Sequence, residues 1–244
     1  MKKDVNNTSV HFVLQGKGGV GKSLVAAFLA QYLAKSGDVV CIDTDPVNQT
    51  LLNYKALNAQ HINLMDDSRI NTREFDKLMV RLLSENGVFV VDNGAASFVP
   101  LSNYIIENNA IGMLNDAGRK VYIHCVITGG QALFDTLRGF TELAEQTESQ
   151  RIIIWLNEYF GAIEHDDKTF LDMKAYVENK EKVHGIIRIA KRNPDTFGKD
   201  VEEMITNKLT FAEALDSPDF SIMVRQRLKI VQNEIFSQLE QVPF

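Results

Sequence analysis

Gly16-Lys17-Gly18-Gly19-Val20-Gly21-Lys22-Ser23 stands between an apolar run, Val10-His11-Phe12-Val13-Leu14-Gln15, and a stretch of helical composition that opens at Leu24. It fits G-x-x-x-x-G-K-[ST], the phosphate-binding P-loop, and it sits where that motif must, after a strand and before a helix. Glycines let successive backbone N–H groups turn inward around phosphate oxygens with no side chain in the way. Residues Gly16 to Leu24 would form this cradle, with Lys22 reaching the β- and γ-phosphates and the Ser23 hydroxyl reaching Mg²⁺. The positive end of the following helix adds to the attraction. The expected ligand is a nucleoside triphosphate.

Working outward, 24–37 reads as a helix stopped by Gly37, and 38–42 as a buried strand ending at Asp43-Thr44-Asp45-Pro46. A helix over 47–55 and a strand over 61–65 follow, then an Asn71-Thr72-Arg73-Glu74 capping box for a helix to about residue 86. Val88-Phe89-Val90-Val91 is a fully buried strand ending at Asp92-Asn93-Gly94. The spacing then predicts a helix over 100–109, a strand over 121–127, and a helix from the Thr128-Gly129-Gly130 turn to 146. A strand over 151–156 ends on Asn157, helices over 167–179 and 194–205 flank a strand near 183–189, and one terminal helix covers 220–241. This alternation predicts an α/β fold, a doubly wound and mainly parallel sheet with helices on both faces. The acidic and phosphate-binding residues fall at strand carboxyl ends, where such sheets hold ligands. No repeat or linker divides the chain, so 1–9 is expected as a flexible tail and 10–244 as one domain.

Twenty-six Lys and Arg against 32 Asp and Glu give a net charge of −6. That balance excludes a broadly basic nucleic-acid coat, so any DNA contact needs a local basic patch or a bridging partner. No run approaches the roughly 20 apolar residues of a membrane span, and the polar start is not a signal peptide. Cys41 and Cys125 lie in separate apolar strands and read as buried free thiols of a reducing compartment, which points to the cytoplasm. The five histidines show no metal-site spacing.

Two acidic positions follow buried strands, Asp43 with Asp45, and Asp92. Phosphoryl chemistry needs carboxylates of this kind near Mg²⁺, although acids after strands also serve as plain caps of turns and helices. In the terminal helix Val224, Leu228, Val231, Ile235 and Leu239 fall on one stripe, read as a face packed on the sheet rather than a membrane-binding one. Arg225, Arg227 and Lys229 beside it form the patch available to DNA phosphates or a partner.

Lys17 gives the loop two lysines in the form K-G-G-x-G-K-S, which resembles the deviant P-loop of the ParA/MinD superfamily. The resemblance implies that Lys17 reaches across a dimer to the partner's bound phosphates. It implies that Asp43 sits near the Mg²⁺ shell in switch I, that Asp45 positions the attacking water, and that Asp92 in switch II holds Mg²⁺. Asn157 matches an asparagine whose amide reads adenine, while a turn-forming role is the plainer alternative. No N-K-x-D guanine signature is present, so ATP is expected rather than GTP. Two departures stand out. Val47-Asn48-Gln49 follows the switch I proline, and Asn93-Gly94-Ala95-Ala96 stands where switch II often has a proline.

Longer stretches are similar to the TraL-type nucleotide-binding proteins of conjugative plasmids. They include 14–23, 41–48, 91–95, 98–101, 126–133, Trp155-Leu156-Asn157 and 225–231. This implies an ATPase serving plasmid transfer or maintenance, with conjugation, relaxosome or partition proteins as partners. Slow hydrolysis would switch an ATP-bound homodimer off. The rival expectations are a nucleotide-sensing scaffold with little hydrolysis and a metabolic enzyme that activates a carboxylate with ATP.

Overall fold

The computed structural model describes residues 8–66, 69–146 and 151–244. Seven parallel strands form the sheet: β1 (Ser9–Leu14), β2 (Val39–Asp43), β3 (Gln60–His61), β4 (Val88–Asp92), β5 (Lys120–Thr128), β6 (Ile152–Asn157) and β7 (Val183–Ile189). Their order across the sheet is β7-β6-β5-β1-β4-β2-β3. The doubly wound α/β architecture follows from these strands and the helices on both faces. Parallel strands covered on both sides have no wet face, which is why β1 is mostly apolar and buried along its whole length.

Side chains alternate across the sheet. Val10, Phe12 and Leu14 of β1 point to one core, with α2 (Glu74–Ser84), α3 (Phe98–Glu107), α4 (Ala110–Asp116), α5 (Leu133–Gln146) and α6 (Lys174–Asn179). Val13 joins the other, with α1 (Lys22–Leu33), α7 (Lys199–Thr206), α8 (Phe211–Asp216) and α9 (Ile222–Leu239). Helix α1 is buried from Val25 to Ala30, so it has no polar stripe to give it an amphipathic pattern. In α9 Leu228, Val231, Ile235 and Leu239 are buried, which makes the predicted stripe a packing face, and Arg227 is taken by an ion pair with Asp200.

The chain leaves β1 toward β2 and β3 on one side, returns to β4, and crosses β1 to build β5, β6 and β7 on the other. The crevice of such a sheet opens at the carboxyl end of the strand where direction reverses, here β1. The P-loop begins there.

Several local expectations differ. Residues 1–7 of the expected tail lie outside the described residues, but Thr8 and Ser9 are buried. Ser9 N–H donates to Gly87 O and Lys120 N–H to Thr8 O, so both neighbouring strands claim this segment. The helix expected over 47–55 is two 3₁₀ turns, Leu51–Asn53 and Lys55–Leu57, because Gln49 adopts a φ of 36° and breaks the helical path. Asn71 holds the Arg73 N–H at 3.0 Å as a local turn, so the capping box does not form and Arg73 takes the cap position without a side-chain bond. The strand expected over 61–65 splits into β3 and a hairpin of Met65–Asp66 with Arg69–Ile70.

Candidate functional site

Three loops meet at the carboxyl ends of β1, β2 and β4. The P-loop takes its shape from Gly19 and Gly21, at φ 75° and 100°, a region closed to most L side chains. Gly21 is needed twice over, because a Cβ there would lie 2.9 Å from Asn157 Nδ2. It leads directly into α1, so the first N–H groups of that helix have no side-chain cap and remain for an anion. Buried Gln15 fixes the loop's entry: its Oε1 accepts from Gly16 N at 2.8 Å, and its Nε2 donates to Val126 O at 2.9 Å and Thr136 O at 3.1 Å.

Lys22 is 8% exposed and folds back over the loop, donating to Lys17 O at 3.0 Å. Burial lowers its pKa, against which Asp92 and Asp45 favour the charged form. Lys17 points outward from the same loop and forms a 2.7 Å ion pair with Asp135, in the first turn of α5. The hydrogen bond from Lys17 holds the Asp135 carboxyl below its usual range.

The three predicted acids have different surroundings. The register pairs Asp43 with Asp92 across β2 and β4, placing the two carboxylate residues side by side. Asp43 is fully buried, and its oxygens accept from Asp45 N at 2.9 Å, Leu51 N at 3.0 Å and Leu52 N at 3.3 Å. Asp43 thereby anchors the loop after β2. Burial raises its pKa while the backbone donors oppose the rise. Asp45 caps the next turn, its Oδ1 accepting from Val47 N at 2.8 Å and Asn48 N at 3.1 Å. Its carboxylate lies against Gly94, where a Cβ would sit 2.6 Å from Asp45 Cγ, so that glycine lets the two loops touch.

Asp92 is the exception. It is 1% exposed, and among the described residues neither oxygen has a hydrogen-bond partner. Burial pushes its pKa up to about 7; the nearby Ser23 hydroxyl, short of a formed hydrogen bond, and Lys22 pull it down, and Asp43 and Asp45 add to the rise. An unsatisfied buried carboxylate costs on the order of 1–3 kcal/mol or more, so its presence beside a phosphate cradle calls for a cation. Ser23 and Asp92 are the oxygen donors that fit Mg²⁺.

Asn157 ends β6 and is buried. Its Nδ2 donates to Val20 O at 2.9 Å and its Oδ1 accepts from Tyr159 N at 3.2 Å. The amide therefore braces the P-loop and shapes the turn after β6. Beside it opens a cavity of about 380 Å³, reaching from Gly19 and Gly21 past Leu24, Tyr159, Phe197 and Val201. Phe197 is carried there by a five-residue π-turn, Pro194–Gly198, and the Arg192 guanidinium lies 5.3 Å from its ring centre.

The sequence assigned no role to Gln15, Thr44, Ser97 or Asp135, and marked Asn93 only as part of an unusual loop. Gln15, Thr44 and Asp135 act through partners on other segments, whereas Ser97 bonds Asn93 and Gly94 just before it. Exposed apolar side chains follow several strand carboxyl ends around the same crevice. Val47 is 70% exposed, Val99 60%, Phe134 60% and Tyr159 62%.

Residues 11–217 match the family described as the CobQ/CobB/MinD/ParA nucleotide binding domain. A Protein TraL from Escherichia coli is 51% identical over 233 residues, 95% of this chain and 97% of that one. Among solved structures, a putative plasmid partition protein from Borrelia burgdorferi bound to AMPPNP superposes with a TM-score of 0.54. It is 16% identical and covers 96% of this chain and all of its own. A ParA family ATPase from Chlorobium tepidum TLS gives 0.53 at 16% identity, covering 93% of this chain and 98% of its own. At that identity the two structures speak to the fold, which they share.

Proposed function

The chain belongs to the CobQ/CobB/MinD/ParA nucleotide-binding domain family and, within it, groups with TraL, and from that premise we propose a Mg·ATP-dependent ATPase that acts as a dimeric switch in plasmid conjugation or maintenance. The observation that carries this reading is the partnerless Asp92 carboxylate beside Ser23 and the P-loop. Mg²⁺ held by Ser23 and Asp92 would supply positive charge to the phosphate oxygens.

Backbone N–H groups from Gly16 to Leu24 hold the phosphates, and the Lys22 ammonium neutralises their outer oxygens. The base and ribose enter the apolar cavity beside Asn157, where Phe197 offers a stacking face. ATP is favoured over GTP by the AMPPNP bound to the Borrelia relative and by the absence of an N-K-x-D sequence. Asp45, at the edge of the crevice and against Gly94, orients water toward the terminal phosphate. Anchored in place by Asp43, its loop can respond to that phosphate being present or gone.

Dimerisation places two crevices face to face. The exposed Val47, Val99, Phe134 and Tyr159 supply apolar area around the mouth, and Lys17 exchanges Asp135 for the partner's phosphates. Conjugation or partition proteins, or DNA through the exposed Lys229 region, are the downstream partners, in the cytoplasm. No helix among the described residues is long and apolar enough to cross a membrane.

Light scattering of wild type and Lys17→Ala, with Mg·ADP and with a slowly hydrolysed ATP analogue, tests the switch. A wild-type dimer with the analogue alone, lost in the variant, is expected. A monomer under every condition would remove the dimeric switch and leave a nucleotide-sensing scaffold or a metabolic ATPase.

A further inference from the structure

The loop after β4 opens on Asn93, and the structure surrounds that asparagine with a closed polar network. Thr44, from the loop after β2, donates its hydroxyl to Asp92 O at 2.9 Å and Asn93 Oδ1 at 3.1 Å. Its N–H also donates to Asp92 O, at 2.9 Å. Ser97, at the N-cap of α3, donates to the same Asn93 Oδ1 at 2.9 Å and to Gly94 O at 3.2 Å. Asn93 Nδ2 closes the set with a 3.0 Å bond to Gly94 O.

Thr44, Asn93 and Ser97 are all at most 1% exposed. Each of their side-chain polar atoms has a partner, next to an Asp92 carboxylate that has none. A satisfied network in low dielectric has narrowly defined geometry, and its bonds strengthen one another. This one joins three segments: the Asp45 loop, the Asp92 loop and the start of α3. The close packing of Asp45 on Gly94 adds a second contact between the first two.

We infer that Asn93 is a positioning residue that locks the Asp45 and Asp92 loops into one body, so that both respond together when the terminal phosphate leaves. The inference rests on the Mg·ATP site proposed above. The Asn93 amide fixes one loop to another: its Oδ1 accepts the Thr44 hydroxyl, beside the Thr44 N–H bond to Asp92 O that crosses at the same place. Both loops carry a carboxylate assigned to the phosphate site, so loosening their register misplaces groups that must act on the same phosphate.

Steady-state turnover and equilibrium binding of Mg·ATP test it in wild type, Asn93→Ala, Thr44→Val and Thr44→Ser. Thr44→Val removes the hydroxyl at nearly constant shape, and Thr44→Ser keeps it. Asn93→Ala and Thr44→Val are expected to hold Mg·ATP within about threefold of wild-type affinity while kcat falls by about tenfold or more. Thr44→Ser is expected to return kcat to within about twofold of wild type. Unchanged kcat in both Asn93→Ala and Thr44→Val overturns the inference. So does a parallel loss of affinity, kcat and melting temperature that Thr44→Ser fails to rescue, since that marks a merely structural contact. A wild-type chain that neither binds nor hydrolyses Mg·ATP overturns the functional reading itself, and is seen before any substitution is made.

Discussion

Two buried polar regions lie a few residues apart in the same sheet, and they are built on opposite terms. In the core, Trp155 Nε1 donates to His124 Nδ1 at 2.9 Å, so His124 carries its proton on Nε2. That proton faces His11 Nδ1 at 3.1 Å, which leaves the proton of His11 on Nε2 for Ser9 Oγ, also at 3.1 Å. One set of tautomers satisfies every group, and aromatic rings of Tyr122 and Phe244 close around the pair. At the carboxyl end of β4, Asp92 is equally buried and has no hydrogen-bond partner among the described residues. The lesson is physical: a polar group whose bonds are complete has finished its work in the fold, whereas one left incomplete identifies where something else binds.

His124→Ala strands the Trp155 N–H and one nitrogen of His11 and opens a cavity, so unfolding stability should fall by about 3–5 kcal/mol. Mg·ATP affinity at the crevice, whose residues the histidines do not contact, should fall far less than stability. Urea titration and calorimetry read the two quantities; a stability loss under about 1 kcal/mol would show that the imidazoles are not the structural element claimed.

Acid provides a graded version. Burial lowers the pKa of His11 to about 3 and that of His124 well below its ordinary value. Because the unfolded chain binds these protons more readily than the folded one, their contribution is fully present above the unfolded pKa of about 6.5 and is lost as pH falls below it. At about pH 5.5 the loss should be near 1.4 kcal/mol per histidine. Stability curves between pH 7 and 5 in Asp92→Asn check this, because the raised Asp92 pKa acts in the opposite direction over the same range; a flat profile in that variant would contradict the neutral buried pair.

Asp135→Ala should have the smallest effect on the free protein. The Lys17–Asp135 pair is nearly half exposed on both sides, so its removal should leave the melting temperature where it was. A fall of several degrees would place Lys17 with the histidines, as a structural group, rather than with the unfinished site.

The same contrast explains what the sequence could disclose. The central parallel strands are continuous apolar runs, and the P-loop has a fixed spacing, so the architecture and the crevice were legible from local pattern. Helix α1 and the strands β4, β5 and β6 appear close to their expected positions. Local pattern failed where a single residue redirects the backbone, as Gln49 does before the two 3₁₀ turns, and α8 passed unnoticed because it has only six residues. It also could not separate Asp43 from Asp92. Both are acids that end buried strands, and only the fold supplies three backbone donors to one and none to the other. Asn157 is similar in part: the fold, not the local sequence, brings Val20 O to its amide.

The most direct measurement is the Mg²⁺ dependence of ATP binding, by titration calorimetry, in wild type and Asp92→Asn. Mg²⁺ should tighten ATP binding to the wild type by about tenfold or more, about 1.4 kcal/mol, and should add little in the variant. The same Mg²⁺ enhancement in both proteins would contradict the central claim that the partnerless Asp92 carboxylate is the place a divalent cation completes.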